Sequence, residues 1–391
     1  MRYRPDKQGN PVSQLGFGCM RFTRSGAAID FDKAERELLA AVEAGVNYFD
    51  TAYLYPGSEE LLGKFLEKNG LRDRVNIATK LPQYTIRSLA AVEKTFREEL
   101  KRLRTDHIDY YLMHMFTDLR EWENLKAMGI EDWIAERKAE GSIRNLGFSY
   151  HGDSEEFLRI LDAYDWDMCQ IQYNYFDEHS QAGRRGLEAA CAKGIPVVIM
   201  EPLRGGKLVK LPPKAAAAFE ATGRGWSPAQ WGLRWLWDQP GVTCVLSGMN
   251  SLEMVADNCA AASDAAPGDF TEADRAAIET VRGILRESEK VGCTGCRYCM
   301  PCPKGVDIPG NFYHYNLMGL QSKRSARFEF AQNMGVRATP GFASLCVGCG
   351  KCEQHCPQGL PIREKLKEAD RALRPLPYKI GIALARKYIL K

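Results

Sequence analysis

Eight short apolar runs, spaced through the first 285 residues and separated by stretches of helical period, constrain this chain more than any other feature. In order they are Leu15–Gly18, Tyr48–Asp50, Asn76–Thr79, Ile108–His114, Asn145–Ser149, Met168–Gln172, Pro196–Met200 and Val242–Leu246. Each has the length and composition of a strand buried on both faces in a parallel sheet. Between them the pattern predicts helices over Phe31–Ala44, Glu59–Lys68, Arg87–Leu103, Glu131–Ala139, Ser154–Ala163, Gln181–Lys193, Ser227–Asp238 and Leu252–Ala262. The first opens after Asp30, an N-cap residue, and stops at Gly45. The third carries Leu89, Val92, Phe96, Leu100 and Leu103 at spacings of three or four. Eight strand–helix units in about 270 residues have the size and rhythm of a (β/α)8 barrel. A doubly wound open sheet would carry a glycine-rich loop after its first strand. Here Cys19-Met20-Arg21-Phe22 follows instead.

The 391 residues are 45% hydrophobic and 26% charged, with 53 basic against 50 acidic side chains. That near balance offers no global electrostatic case for nucleic acid or an anionic membrane. No apolar run reaches the ~18–20 residues of a membrane span, and the N-terminus lacks the apolar core of a secretory signal. The expectation is a cytoplasmic protein without integral membrane association. From about residue 289 cysteine, glycine and proline rise, and long periodic helices are expected to stop. Beyond residue 370 come Arg371, Arg374, Lys379, Arg386, Lys387 and Lys391 without an acid, interleaved with Ile380, Ile382, Leu384, Tyr388, Ile389 and Leu390. Such a basic amphipathic tail packs on its own protein or lies on a membrane surface. The expected division is a barrel over 1–285, a cysteine-bearing domain over 286–365 and a basic amphipathic tail over 366–391.

Eight of the thirteen cysteines fall in two runs, Cys293, Cys296, Cys299, Cys302 and Cys346, Cys349, Cys352, Cys356. Each run has three cysteines two residues apart and a fourth followed by proline, a weak internal repeat offset by 53 residues. Paired C-x2-C motifs also make zinc sites. A third cysteine in phase and the Cys-Pro step are surplus to zinc, and a reducing compartment with metal ligation fits better than disulfides. The pattern resembles the two-cluster bacterial ferredoxins, C-x2-C-x2-C-x3-C-P. The second run matches in full, whereas Cys299 and Cys302 are one residue too close. The resemblance implies two [4Fe–4S] clusters with crossed ligands: Cys293, Cys296, Cys299 and Cys356 on one, Cys346, Cys349, Cys352 and Cys302 on the other. Cys19, Cys169, Cys191, Cys244 and Cys259 read as small core residues.

In a barrel, catalytic residues stand at the C-terminal ends of strands. There the sequence places Asp50, Lys80 and His114, with Tyr55 five residues beyond Asp50. A tyrosine with a free pKa of about 10 donates poorly at neutral pH, and a nearby ammonium favours its phenolate. A carboxylate can hold the lysine, and a histidine can orient a substrate oxygen. Together these four can protonate a carbonyl oxygen as hydride reaches the carbon. Singly, each has a structural explanation: a loop cap, a half-buried aromatic, a solvated charge, a core histidine.

The run Asp50-Thr51-Ala52-x-x-Tyr55-x-Gly57-Ser58-Glu59, with Thr79-Lys80 and His114, resembles the aldo-keto reductase family over residues 10–285. With the cysteine tail it resembles the ferredoxin-tailed members of bacteria and archaea. The resemblance implies a catalytic Asp, Tyr, Lys, His tetrad with Tyr55 as general acid/base, and NADP(H) or NAD(H) bound without a glycine-rich loop. Family positions for the nicotinamide carboxamide fall on Ser149 and Gln170, with Tyr150 where Asn is usual and Met200 where a stacking tyrosine is usual. Around the pyrophosphate the candidates are Gly248, Asn250, Ser251 and Asn258. The usual 2′-phosphate Lys and Arg align with Gly248 and Met254, leaving Arg204 and Lys207 as the nearest cations.

The expected function is an oxidoreductase interconverting a small-molecule carbonyl and alcohol, with the clusters relaying electrons to ferredoxin or another carrier. Two alternatives stand beside it: a nicotinamide-dependent reductase with structural clusters, and a non-catalytic redox-sensing or docking module. Phe22–Ala28, Met115–Asp118 and the segment after Met200 are the expected substrate loops, with Trp122, Trp133 and Trp226 as candidate pocket walls. Arg21 and Arg24 are a faint hint of an anionic substrate. Neither substrate nor oligomeric state is readable.

Overall fold

The computed structural model describes every residue except 27, 321, 336–338 and 390–391, so Leu390 and Lys391 of the tail lie outside it. Twelve strands are described: β1 (Tyr3–Pro5), β2 (Pro11–Ser13), β3 (Leu15–Gly18), β4 (Arg24–Ser25), β5 (Ala28–Ile29), β6 (Tyr48–Asp50), β7 (Asn76–Leu81), β8 (Ile108–Phe116), β9 (Ile143–Tyr150), β10 (Met168–Gln172), β11 (Val197–Met200) and β12 (Val242–Ser247). Strands β3 and β6 to β12 form a closed parallel barrel in chain order, sealed where Val245 of β12 lies opposite Leu15 of β3. All eight strands read from the sequence take part. The antiparallel β1–β2 and β4–β5 hairpins are additions, too short for periodicity to reveal.

The helices are α1 (Phe31–Glu43), α2 (Ser58–Asn69), α3 (Leu89–Leu103), α4 (Leu119–Ala127), α5 (Ile130–Ala139), α6 (Ser154–Ala163), α7 (Gly183–Ala192), α8 (Pro213–Glu220), α9 (Pro228–Trp237), α10 (Leu252–Asp264), α11 (Glu272–Ser288), α12 (Ile308–Leu320), α13 (Lys323–Phe330), α14 (Lys351–Gln354), α15 (Ile362–Leu373) and α16 (Leu376–Ile389). Local chemistry sets their ends. Asp30 accepts from the Lys33 N–H at 3.1 Å, and Ser88, not Arg87, caps α3.

Strand alternation builds the barrel interior. Tyr48, Ala78, Leu112, Met168, Val198 and Cys244 form one buried cluster. Two residues further along four of these strands stand Asp50, Lys80, His114 and Gln170, on the same inward face because side chains repeat every second residue. The lower barrel is therefore apolar, and the upper layer is polar.

Contacts divide the chain into two units, residues 1–203 with 229–271, and residues 204–228 with 272–391. The first holds all twelve strands. The second groups α8 and α11 with the cysteine-bearing segment, although both precede residue 289. Its core includes Val306, Ile308, Phe312, Phe330, Ile362, Leu366 and Leu373, with Cys293, Cys299, Cys302, Cys346, Cys352 and Cys356 packed against it.

The expectation that long helices stop near residue 289 is wrong: α12, α13, α15 and α16 follow. In α12, Ile308-Pro309-Gly310, proline falls in the first turn, where its missing N–H costs nothing. Packing holds the rest. A Cβ on Gly319 would lie 1.8 Å from the Ser288 carbonyl oxygen. The tail is helical in α15 and α16. Ile382 is buried and Arg386 Nη1 donates to the Gly335 carbonyl at 3.1 Å, while Leu376, Ile380 and Leu384 are exposed. No described helix is long and apolar enough to cross a membrane.

Candidate active site and cluster-binding segment

At the C-terminal end of the barrel Lys80 Nζ donates to both oxygens of Asp50 and to the Thr51 carbonyl, each at 2.7 Å. Asp50 is 4% and Lys80 1% exposed. A charge pair buried this deeply persists only where its hydrogen bonds are satisfied. Gln170 supplies another, its Nε2 donating to Asp50 Oδ2 at 2.9 Å. Tyr55 sits in the turn between β6 and α2, its N–H donating to the Ala52 carbonyl. Lys80 Nζ lies 5.3 Å from the Tyr55 ring centroid. The His114 ring meets Tyr55 edge-on, centroids 6.1 Å apart. All four tetrad candidates converge.

His114 is fully buried. Desolvation first, then the Lys80 ammonium and His151, holds its imidazole well below the usual histidine range. It is therefore neutral at physiological pH, with one ring nitrogen a donor and the other an acceptor. Its Nδ1 has no hydrogen-bond partner among the described residues, and neither has Gln170 Oε1. Both are buried polar atoms suited to a polar ligand.

The remaining nicotinamide candidates divide by strand parity. Ser149 pairs in register with Gln170, and its Oγ accepts from the Met115 N–H at 2.8 Å. Met115 takes φ +64°, where β8 bends. Tyr150, one residue on, faces the helix layer: its ring packs on Phe148 and Phe157 and its hydroxyl donates to the Asp153 carbonyl at 2.6 Å. Beyond β12, Asn258 Nδ2 donates to Ser247 Oγ at 3.0 Å, and Ser251 caps α10 by accepting from the Met254 N–H at 3.3 Å. Gly248 lies against Arg21, whose Cβ would be 3.4 Å from an added Cβ. Asn250 is half-buried in the loop between them. The N-terminus of α10 presents backbone N–H groups suited to a phosphate. Arg204 falls in the second unit, paired with Glu289.

The sequence reading missed a buried polar network beside the tetrad. His151 Nδ1 lies 3.2 Å from Gln181 Oε1, the Gln181 amide donates to Gln172 Oε1, and Gln172 and Asn174 both donate to Asp177 Oδ2 at 3.2 Å. Gln172 shares the inward face of β10 with Gln170, so period two could have found it. Of the substrate-loop residues, Arg24 Nη2 donates to the Pro56 carbonyl at 2.6 Å, tying the β4–β5 hairpin to the Tyr55 turn. Trp122 and Trp133 are not pocket walls. They are buried among aromatics of the helix layer. Trp226 lies in the second unit under the Arg224 guanidinium.

In the second unit a small pocket is lined by Cys293, Cys296, Cys299 and Cys356, with Ile308, Phe312 and Leu360 around them. These are the four cysteines that the ferredoxin resemblance assigns to one cluster. Burial pushes the Cys299 thiol up to about 12, and ligation to iron would supply the charge compensation for deprotonation. Among the described residues no three His, Cys, Asp or Glu side chains converge on one point as ligands of a single ion would. The internal repeat is structural as well. Positive φ occurs at 295, 297 and 305 in the first run, and at 348, 350 and 359 in the second. Glycine fills five of these positions, and Arg297 takes the sixth. Of the remaining cysteines Cys19, Cys169, Cys244 and Cys259 are buried as expected. Cys191 is exposed on α7.

Residues 14–278 match the Aldo/keto reductase family, and residues 292–360 match the 4Fe-4S dicluster domain. The chain is 31% identical over 208 residues to an aldo-keto reductase of Strobilurus tenacellus, covering 50% of this chain and 60% of that one. It is 27% identical to an uncharacterized oxidoreductase of Bacillus subtilis, covering 64% of this chain and 88% of the relative. The structure of an aldo/keto reductase from Klebsiella pneumoniae in complex with NADP and acetate superposes with a TM-score of 0.59, at 26% identity, over 72% of this chain and 96% of that one. Parallel barrel, matched sequence and cysteine-bearing extension agree: the chain belongs to the aldo/keto reductase family and carries a C-terminal 4Fe-4S dicluster domain.

Proposed function

We propose that the protein is an oxidoreductase interconverting a small-molecule carbonyl and its alcohol, with Tyr55 as general acid/base. The observation that carries this is the convergence of Tyr55, His114 and the buried Lys80–Asp50 pair at one end of the barrel. Asp50 holds the Lys80 ammonium, and Lys80 stabilises negative charge on the Tyr55 oxygen as its proton leaves. Neutral His114 orients the carbonyl oxygen between itself and Tyr55. Nicotinamide, which the Klebsiella relative holds as NADP, would supply the hydride when bound. Ser149, Gln170, Gly248, Asn250, Ser251 and Asn258 are the proposed contacts, with Gln170 Oε1 and the α10 N-terminus the groups best suited to it.

Two [4Fe–4S] clusters are proposed, one on Cys293, Cys296, Cys299 and Cys356, the other on Cys346, Cys349, Cys352 and Cys302, and they would supply one-electron steps. A carrier such as ferredoxin is the proposed partner. The proposed division is a barrel over 1–285, a ferredoxin-type domain over 286–365 and a basic amphipathic tail over 366–391, and the family matches over 14–278 and 292–360 support the first two. A second reading, in which the clusters only staple the second unit, is favoured by the packing of six cysteines on its core.

Tyr55→Phe should lower carbonyl reduction by about 10²–10⁴-fold, the usual weight of general acid catalysis, while nicotinamide binding, followed by fluorescence, is retained. Unchanged turnover would falsify the assignment. Cys349→Ser separates relay from staple: turnover with nicotinamide surviving in a folded variant shows that this reaction needs no relay.

A further inference from the structure

The first cysteine run is braced by side chains from outside the ferredoxin-like segment. Lys207, in the stretch that follows β11, donates through Nζ to the backbone carbonyl of Cys293. Arg204, 5% exposed, pairs with Glu289, and its Nη2 lies 3.7 Å from where a Cβ on Gly292 would stand. Gly292 immediately precedes Cys293. Glu289 offsets the charge of Arg204.

The second run is braced differently. Arg363, from α15 within the ferredoxin-like segment, forms a 2.8 Å ion pair with Glu353 and reaches the Gly348 carbonyl at 3.4 Å. Its side chain is half exposed, so solvent and salt screen it. The two cysteine runs repeat in backbone conformation but not in the charges around them.

We propose that Lys207 is part of the first cluster's site and raises the reduction potential of the cluster held by Cys293, Cys296, Cys299 and Cys356, while leaving the other cluster unaffected. The proposal rests on the two-cluster reading above. Reduction adds one electron to a group already carrying thiolate charge. A cation held against a ligand's backbone stabilises that added charge, and cluster potentials respond to net charge and hydrogen bonding. By its place in the chain, Lys207 lies seven residues beyond the last residue of β11. One loop of the barrel fold is thereby enlisted to tune a cluster rather than to grip a nucleotide phosphate.

The test is an anaerobic redox titration of the full-length, iron-loaded protein, read by electron paramagnetic resonance. Cys296→Ser identifies which signal belongs to the first cluster. Lys207→Met should lower the reduced-to-oxidised ratio of that signal threefold to tenfold at a fixed potential, a tenfold change being ~59 mV for one electron. The second signal should not move. Lys207→Arg should restore the first signal. If Lys207→Met loses iron, Lys207→Gln removes the charge while keeping a hydrogen-bond donor, and the same shift is expected. Coincident titrations of Lys207→Gln and wild type would overturn the assignment alone. Absence of two cluster signals in the wild-type protein would overturn the two-cluster reading, and this proposal with it.

Discussion

The two units solve opposite problems with buried polar groups. At the barrel's upper end every tetrad candidate except Tyr55 is almost wholly buried, and Asp50 is held by Lys80 and Gln170. The cysteine runs are half-buried or exposed, with no shared sheet, and turn on residues of positive φ around a cavity. In the barrel, strands at fixed register position the chemistry, so each functional side chain is pre-organised by backbone hydrogen bonding. In the second unit, short loops present thiols and helices α12 and α15 close the core behind them. The difference teaches that the barrel site is specified without any ligand, whereas the cysteine loops are shaped to be completed by one.

This contrast can be broken most sharply at Lys80. Lys80→Met leaves Asp50 buried without its partner and should destabilise the barrel by about 3–5 kcal/mol and abolish carbonyl reduction. Iron content should be unchanged. Loss of iron in parallel with the barrel would show that the units do not unfold separately. Next in size is a pH effect confined to the barrel. Burial holds His151 down to about 4 from 6.5. A group whose folded pKa is depressed stabilises fully above its unfolded value, and that stability is lost as pH falls from 6.5 toward 4. At 1.36 kcal/mol per unit the loss is about 3 kcal/mol. In His151→Gln, urea unfolding followed by near-ultraviolet circular dichroism should show a shallower decline over this window, although His114 still contributes in the same direction.

In the second unit Gly319→Ala forces a Cβ against the Ser288 carbonyl and should cost about 1–3 kcal/mol. Cluster absorbance should then bleach at a lower temperature while the barrel transition stays in place. The smallest effect is expected at Ser251→Ala, where loss of the α10 cap costs about 1 kcal/mol. If the α10 N-terminus binds the nucleotide phosphates, this variant should also raise KM for the nicotinamide, and the cluster potentials should not respond.

Much of this molecule was legible in the residues themselves. Short continuous apolar runs located the barrel strands, and polar residues at the C-terminal ends of those runs located Asp50, Lys80 and His114. Residues 293–302 and 346–356 announced their chemistry through spacing. The network through His151, Gln172 and Gln181 was legible only at Gln172, by strand period, because His151 and Gln181 are neutral side chains brought to it by loop geometry. Helix α12 was not legible, because its stability comes from packing rather than amphipathic period, whereas α15 buries Ile362, Leu366, Ala369 and Leu373 at helical spacing that the sequence reading passed over. Arg204 and Lys207 looked like phosphate ligands because sequence order placed them after a barrel strand.

The sequence by itself determined the fold class, the four tetrad candidates and the eight cysteine positions, because short apolar runs and metal-ligand spacing are local properties of the chain. Only the tertiary structure decided that Cys356 joins Cys293, Cys296 and Cys299 around one cavity. It also decided that Gln170 braces Asp50, and that Arg204 and Lys207 turn to the first cysteine run. Those pairings join residues from 57 to 120 positions apart, and only the packing of helices and the closure of the barrel bring them within reach.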